Sequence, residues 1–120
     1  EAGYLNFVEK EGDLFNNFKT LFVNGHTEAQ MIPHITYKDK TIVFAADLLP
    51  STGHIPLPYV MGYDTRPLLT LTEKEKFLKH AAEQEYILFL QHDNYSECCT
   101  VEQTDRGVRL KETFTLSEIL

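Results

Sequence analysis

The chain has 120 residues, enough for one compact domain, and its 42% hydrophobic content and mean hydropathy of −0.28 are typical of a soluble globular protein. The formal net charge of −7 and the pI near 5.1 oppose binding to nucleic acid or to anionic membranes, because both need clustered Lys or Arg. No apolar run approaches the roughly 20 residues of a membrane-spanning helix. We therefore expect no nucleic-acid partner and no membrane partner.

The N-terminus and the cysteines bear on the cellular compartment. Residues 1–4 (Glu-Ala-Gly-Tyr) contain neither an initiator Met nor the charged and then apolar character of a signal peptide. We therefore expect the chain to begin inside a longer protein, and we assign it to the cytoplasm only by default. The only cysteines, Cys98 and Cys99, are adjacent, so we expect two free thiols with one of them buried.

The first part of the chain is predicted to form strands. A weak strand candidate at residues 4–8 precedes a better one at 18–23, which ends at a turn formed by Asn24-Gly25. Residues 31–37 and 41–46 flank a short polar connection, so we predict an antiparallel hairpin. The second of these segments is apolar without alternation, which is typical of an interior strand.

The middle of the chain predicts a loop, a helix and a strand. Residues 47–70 hold four of the five prolines, which indicates a long loop of the kind that often carries function. The segment 72–75 (Thr-Glu-Lys-Glu) is read as a capping box and predicts a helix from Glu73 to about Glu85. The apolar segment 86–90 follows directly, so a crossover through the helix would make it parallel to the strand at 41–46.

The C-terminal part predicts a second hairpin. Residues 98–103 and 108–113 are strand candidates on either side of a polar turn, in which Gly107 can adopt a positive φ. A short helix is expected to start at Ser117.

Three side chains that can bind a metal follow three predicted apolar strands: His26, Asp47 and His92. Strand ends of an α/β sheet meet at one crevice, so these side chains can share a ligand. Imidazole and carboxylate groups suit zinc, iron or manganese, and the absence of a thiolate argues against a structural zinc knot. Each histidine alone is more often an ordinary hydrogen-bonded residue, so the joint placement carries the metal-site hypothesis.

Three segments resemble motifs of the metallo-β-lactamase-fold hydrolases. Residues 23–27 (Val-Asn-Gly-His-Thr) resemble their Pro-Gly-His-Thr turn, 44–47 (Phe-Ala-Ala-Asp) the strand ending in a bridging aspartate, and 90–93 (Leu-Gln-His-Asp) the last ligand strand. The resemblance covers nearly the whole chain and is nearest to the branch that contains methyl parathion hydrolase and some lactonases. Asn24 stands where the family often has Pro, and 28–29 (Glu-Ala) replaces a frequent second Pro-Gly.

The resemblance implies an α/β fold in which residues 1–120 form the C-terminal half of an αββα sandwich, with a mixed sheet and flanking helices. It implies that His26 binds a first metal, that Asp47 bridges two metals and is catalytic, and that His92 binds the second. The intact protein would use two divalent ions, zinc ahead of iron or manganese. A metal-bound hydroxide would attack a small ester, lactone or phosphoester substrate.

One departure limits this resemblance. The family signature His-x-His-x-Asp-His, which supplies most of the ligands, is absent, and we expect it before Glu1. The missing N-terminal half is then a required partner, the chain alone is inactive, and its own status as an enzyme is open. The alternative is a non-catalytic binding or scaffold module that keeps the fold. An uncovered sheet also predicts a homo-oligomer.

The remaining candidates lie outside this triad. Within the long loop we expect His54 to contact substrate, with a role in loop packing as the alternative, and Tyr59, Tyr63 and Asp64 to face the pocket mouth. We prefer the ordinary interpretations for the others: a strand residue facing solvent or another layer for His34, and a solvated helix residue for His80. Asp93 is interpreted as a loop acid, with orientation of His92 or of the bridging hydroxide as the alternative.

Overall fold

A seven-stranded sheet organises residues 6–120, which are the residues that the computed structural model describes. One α-helix, α1 (Pro67–Glu83), packs against it, and two short 3₁₀ turns occupy Thr52–His54 and Leu116–Glu118. The strands are β1 (Gly12–Phe15), β2 (Phe18–Val23), β3 (Gln30–Tyr37), β4 (Lys40–Phe44), β5 (Ile87–Phe89), β6 (Cys98–Thr104) and β7 (Gly107–Phe114).

The order of the strands in the sheet is their order in the chain. All neighbours are antiparallel except β4 and β5, which run parallel and are joined through α1. The mixed sheet, both predicted hairpins, the interior position of β4 and the parallel crossover are therefore confirmed. A parallel pair needs such a crossover, because its second strand must start again from the same end of the sheet.

The N-terminal strand prediction was wrong. Of the candidate at 4–8, residues 4 and 5 lie outside the described residues, and residues 6–8 are not in a strand. The first strand is β1 instead, which pairs with β2 across a tight turn in which Asn17 has a φ of 63°. Asn tolerates this left-handed conformation, and its position before a strand was the overlooked turn signal.

Helix α1 begins earlier than the capping box predicted. Pro67 occupies the first turn, where its fixed φ suits a helix and its missing N–H removes no hydrogen bond. Thr72 therefore lies inside the helix, and its hydroxyl donates to the carbonyl of Leu68 at 3.4 Å rather than capping an end. At the C-terminus the expected helix from Ser117 is a single 3₁₀ turn, Leu116–Glu118.

The two faces of the sheet differ. The face toward α1 is buried and carries Ile32, Val43, Leu88 and Cys99, packed with Phe77, Leu78 and Ala81 of the helix. No helix or strand among residues 6–120 packs on the opposite face, which we call the open face, although Thr20, Ile87 and Cys98 on this face are buried. Opposed strand residues share a face, and the register assigns to the open face Phe18, Phe22, Met31, Pro33, Ile35, Ile42, Phe44 and Phe89.

The structure gives the surroundings of two histidines, His34 and His80, that the sequence did not place in the site. His34 is buried at 5% exposure on the α1 face, where its ring packs against Phe77 and Tyr86 and its Nδ1–H donates to the carbonyl of Ile32. His80 is exposed on α1, as expected. None of the helices in residues 6–120 has the length and apolar character needed to cross a membrane.

The cysteines are both free and both buried, so the expectation that only one is buried was wrong. The register places Cys98 beside Phe89 on the open face and Cys99 beside Leu88 on the α1 face, and both side chains are 0% exposed. Burial raises the pKa of Cys98 to about 11 and that of Cys99 to about 12, which makes both thiols poor nucleophiles.

Candidate functional site

The side chains of His26, Asp47 and His92 meet at one edge of the sheet. The Oδ2 atom of Asp47 lies 3.4 Å from Nε2 of His26, and its Oδ1 atom lies 3.0 Å from Nε2 of His92. Asp47 is 22% exposed, His26 is 16% exposed and His92 is 51% exposed, so the group opens to solvent on the side of His92. The structure brings together all three residues that the sequence singled out.

Asp47 is placed by a sharp turn at the end of β4. Ala45 still bonds to the crossover partner strand, its N–H donating to the carbonyl of Phe89 at 3.1 Å. Ala46 then adopts a φ of 47°, a left-handed conformation that is uncommon for a residue with a Cβ. This turn ends the strand two residues before the predicted boundary and turns Asp47 toward the histidines.

The turn that carries His26 is held by helix α1. The carboxylate of Glu73 accepts the N–H groups of Asn24 at 2.7 Å and Gly25 at 2.8 Å. Gly25 lies so close to the helix that an added Cβ would be 2.6 Å from the backbone of Thr70. Only glycine fits this approach, which explains the glycine in the turn motif.

The imidazole of His26 is oriented by a second carboxylate. Its Nδ1 atom lies 2.8 Å from Oδ1 of Asp64, whose side chain is only 1% exposed. The main chain supports this contact, because the N–H and hydroxyl of Thr65 both bond to the carbonyl of His26. Asp64 was expected at the pocket mouth; it instead lies beneath His26, where a buried acceptor on one ring nitrogen fixes the tautomer and frees the other.

His92 is held through its main chain and the loop that follows. Its N–H donates to the carbonyl of Pro50 at 2.9 Å, which ties it to the segment after Asp47. Asp93 accepts the N–H and hydroxyl of Thr52, both at 2.9 Å, and the N–H groups of Tyr95 and Ser96. Burial raises its pKa, but these hydrogen bonds outweigh burial and lower the pKa to about 2. Asp93 is therefore a loop acid that joins two loops.

Gln30 is a site residue that the sequence did not reveal. Its Nε2 donates to Oδ2 of Asp47 at 3.4 Å, and its Oε1 is buried without a hydrogen-bond partner among the described residues. Gln30 and Glu73 escaped detection because each reaches the site through tertiary contacts, and the contact of Asp64 with His26 was missed for the same reason. The one available signal was Gly25, since a glycine beside a candidate ligand indicates close packing of another element.

His54 does not join the three converging residues. Its Nδ1 lies 2.8 Å from the hydroxyl of Ser51, and no hydrogen bond in the described part of the chain links it to His26, Asp47 or His92. Burial and the nearby charge of Lys74 lower its pKa, while Asp64 opposes the shift. These neighbours locate His54 in the same loop system, and its predicted contact with substrate stays a prediction.

The donor atoms fit a divalent cation incompletely. When Nδ1–H of His26 donates to Asp64, the Nε2 atom of His26 carries a lone pair that faces the carboxylate of Asp47. Nε2 and the Asp47 carboxylate are then two acceptors that face each other, and a cation or a proton between them stabilises this arrangement. A second unmet acceptor, Oδ2 of Asp64, is buried nearby. Within residues 6–120, however, no group of three or more His, Cys, Asp or Glu side chains is arranged to hold a metal ion by itself.

Comparison with known proteins gives the fold. Neither a protein-family model nor a curated protein sequence matches the chain. Among solved structures, it is similar to AidC, a dizinc quorum-quenching lactonase, with a TM-score of 0.77 and 22% identity over 92% of this chain and 38% of AidC. It is also similar to a probable metal-dependent hydrolase from Staphylococcus aureus, with a TM-score of 0.75 and 24% identity over 95% and 42% of the two chains.

A third similar structure is the hydrolase AbOPH of the β-lactamase superfamily, with a TM-score of 0.74 and 20% identity over 86% of this chain and 36% of AbOPH. The chain thus spans about two fifths of the length of these solved structures. Its seven-stranded mixed sheet with one helix therefore matches part of a metallo-β-lactamase-like fold.

Proposed function

We propose that this chain supplies part of the active site of a metal-dependent hydrolase that acts on a small ester, lactone or phosphoester. The observation that carries the proposal is the carboxylate of Asp47, whose two oxygens face Nε2 of His26 and Nε2 of His92. Two imidazoles and one carboxylate are common ligands of catalytic zinc. The similarity to a dizinc lactonase and to other hydrolases supports the proposal of a metal-dependent hydrolase.

The proposed roles follow from the contacts of each side chain. His26 would hold a first divalent ion, His92 a second, and Asp47 both, with zinc favoured over iron or manganese. When bound, the ions would lower the pKa of a water molecule and polarise the scissile carbonyl or phosphoryl group. Asp64 orients the ring of His26, and Glu73 holds the turn that carries it. Gln30 restrains Asp47 through a hydrogen bond to its carboxylate.

The chain alone is proposed to be inactive. The described residues provide three donors but no group that holds an ion by itself, so further ligands have to come from another segment. The solved structures that it matches are more than twice as long, which leaves room for such a segment in the intact protein. We propose that this partner is an N-terminal half with a His-x-His-x-Asp-His motif, whose sheet covers the open face.

Zinc binding by the purified chain tests the site. Calorimetric titration is expected to show weak binding, because three ligands without their partners leave the site open. Asp47→Asn should abolish this binding, whereas His80→Ala, which removes an exposed histidine of α1, should leave it unchanged. Absence of zinc binding by the wild-type chain, or equal binding by Asp47→Asn, would overturn the proposed site.

The sequence encoded upstream of Glu1 tests the enzyme itself. A His-x-His-x-Asp-His motif there would complete the ligand set, and joining that segment to the chain should raise zinc affinity and give hydrolysis of lactone or phosphoester substrates. If the upstream sequence has no such motif, the hydrolase proposal fails and a non-catalytic binding or scaffold module replaces it.

A further inference from the structure

A fully buried lysine, Lys74, lies next to the helix residue that holds the turn of His26. Lys74 is 0% exposed, although lysine is almost never fully buried unless its ammonium is paired. It lies on α1 directly after Glu73, the residue that holds the turn of His26. A charged group at such a position needs a compensating role, because removing it from water has a large free-energy cost.

Three backbone carbonyls surround the ammonium group of Lys74. Its Nζ donates to the carbonyl of His54 at 3.0 Å, of Pro56 at 3.3 Å and of Tyr59 at 2.6 Å. All three carbonyls belong to the connection between β4 and α1, in which His54 ends a 3₁₀ turn, and an ammonium has three N–H groups to donate. Every donor of Lys74 is therefore used to attach this loop to the helix.

The same loop leads to the carboxylate that orients His26. Asp64 follows Tyr59 by a short turn closed by its own N–H, which donates to the carbonyl of Met61 at 3.2 Å. Burial lowers the pKa of Lys74 to about 8, and the negative charge of Asp64 opposes this decrease. The ammonium form therefore prevails at neutral pH, and its charge lies near Asp64.

We propose that Lys74 is a positioning residue whose ammonium group fixes residues 54–59 on α1 and thereby keeps Asp64 in contact with His26. Adjacent residues of α1 then organise the site through opposite chemistry: Glu73 accepts from the amides of one loop, and Lys74 donates to the carbonyls of another. This role rests on the proposed function only in that His26 is a ligand. The loop attachment itself can be measured without metal.

Amide hydrogen exchange and NMR of the metal-free chain test the proposal in Lys74→Met, with Lys76→Met as the matched control on the exposed side of α1. In Lys74→Met, exchange across residues 54–64 should accelerate by about tenfold or more while the β-strands keep their protection. The ring nitrogens of His26 should lose the pattern of a single tautomer. The pKa of His54 should rise, because a neighbouring positive charge is removed. Lys76→Met should show none of these changes.

Lys74→Arg serves as the second variant. Arginine keeps the charge, and its extra donors are expected to restore the His26 tautomer at least in part, which a side chain acting only through packing volume would not do. If Lys74→Met is unfolded, Lys74→Arg should still show faster exchange confined to residues 54–64, since a planar guanidinium cannot match three carbonyls arranged around one nitrogen. Normal exchange and an unchanged His26 tautomer in a folded Lys74→Met would overturn the proposal.

The outcome is separable from that of the proposed function. Zinc titration of the wild-type chain tests the metal site, whereas exchange of the metal-free variants tests the attachment of the loop. Loss of the loop contacts without any zinc binding by the wild-type chain would reject the hydrolase site and retain Lys74 as the residue that orders this loop.

Discussion

The ring of His26 lies between two carboxylates, with Asp47 on Nε2 and Asp64 on Nδ1. The two carboxylates therefore have different roles toward the same ring. The buried carboxylate fixes the ring, and the more exposed carboxylate shares the face that is available to a ligand. At the scale of single residues, the properties of the site therefore depend as much on Asp64 as on the three candidate ligands.

Replacing Asp64 should weaken metal binding without changing the shape of the site. Asp64→Asn removes the negative charge and can present an N–H to Nδ1, which favours the wrong tautomer of His26. We expect zinc affinity, measured by calorimetry, to fall by roughly 10- to 100-fold, the usual effect of removing the carboxylate that orients a histidine ligand. Asp105→Asn, in the exposed turn between β6 and β7, is the control; an unchanged affinity in Asp64→Asn would contradict this role.

The close approach of Gly25 to α1 gives a second prediction. Gly25→Ala places a Cβ 2.6 Å from the backbone of Thr70, which the helix cannot relieve by rotating a side chain. We expect a loss of about 1–3 kcal/mol in the free energy of unfolding, measured by urea denaturation. Gly62→Ala is the matched control, because its added Cβ meets no atom within 4 Å. Equal stability of the two variants would show that the turn is free to move.

Residue types and their order in the chain were enough to predict that His26, Asp47 and His92 lie close together, because each follows an apolar strand; their role as metal ligands stays a prediction. The partners of these residues were not predictable in the same way. Asp64 lies 38 residues from the group it contacts, and Glu73 lies 48 and 49 residues from its two partners, so no local pattern connects them. Such contacts become visible only when the helix has been placed against the turn.

At the scale of elements, two loops beyond the strand ends are joined by the carboxylate of Asp93. It connects the 3₁₀ turn at Thr52 to the loop that follows His92, through four hydrogen bonds. These loops follow Asp47 and His92, so the connection keeps the two strand ends at a constant separation.

This connection should depend on pH. The pKa of Asp93 is lowered from 3.8 to about 2 in the folded chain, so its contribution to stability is complete above pH 3.8 and is lost as the pH falls toward 2. Asp93→Asn should lower the free energy of unfolding by about 1–2 kcal/mol at neutral pH. The difference from the wild-type chain should be much smaller at pH 2 than at neutral pH, because the carboxylate is then protonated in the unfolded state and about half protonated in the folded state. An undiminished difference at pH 2, in urea denaturation at both pH values, would argue against the carboxylate as its source.

Element types were predictable where the hydrophobic pattern extends over a full strand or several helical turns. Both hairpins and the crossover followed from such patterns. Apart from the misplaced N-terminal strand and the C-terminal helix, which is a single 3₁₀ turn, the errors fell at boundaries, where single residues decide. Pro67 starts α1 ahead of the apparent capping box, and the left-handed Ala46 ends β4 before its apolar run is complete. Neither effect can be read from periodicity, because both depend on backbone geometry imposed by packing.

At the scale of the whole molecule, the open face leaves a layer of apolar side chains without a covering element in residues 6–120. Met31 is 45% exposed and Ile35 is 40% exposed, and the rings of Phe44 and Phe89 lie beside each other at 6.0 Å on the same face. The alternation within β3 explains this face, because its even-numbered residues Ile32 and His34 are the ones that meet α1. Sequence patterns indicated an uncovered sheet but carried no information about what covers it.

The open face predicts self-association of the isolated chain. Burying apolar surface between two copies is favourable, so sedimentation velocity should show a concentration-dependent dimer or larger species. Ile35→Lys, at the centre of this face, should shift the equilibrium to monomer by placing like charges opposite each other. Leu120→Lys, which also replaces an apolar side chain but at the 65% exposed C-terminal residue, should not shift this equilibrium. A wild-type chain that stays monomeric at high concentration would contradict the prediction.

The order of the strands has a consequence for the kinetics of folding. Six strand pairs link neighbours in the sheet, and five of them form across short connections, whereas β4 and β5 meet only after the long loop and α1 are in place. Closing that segment has the largest entropic cost of any pairing in the chain and is expected to be a late step. The same closure brings Asp47 within reach of His92, 45 residues further on. Assembly of the candidate site thus coincides with the last sheet contact to form, and a signal from Asp47 and His92 would report the final stage of folding.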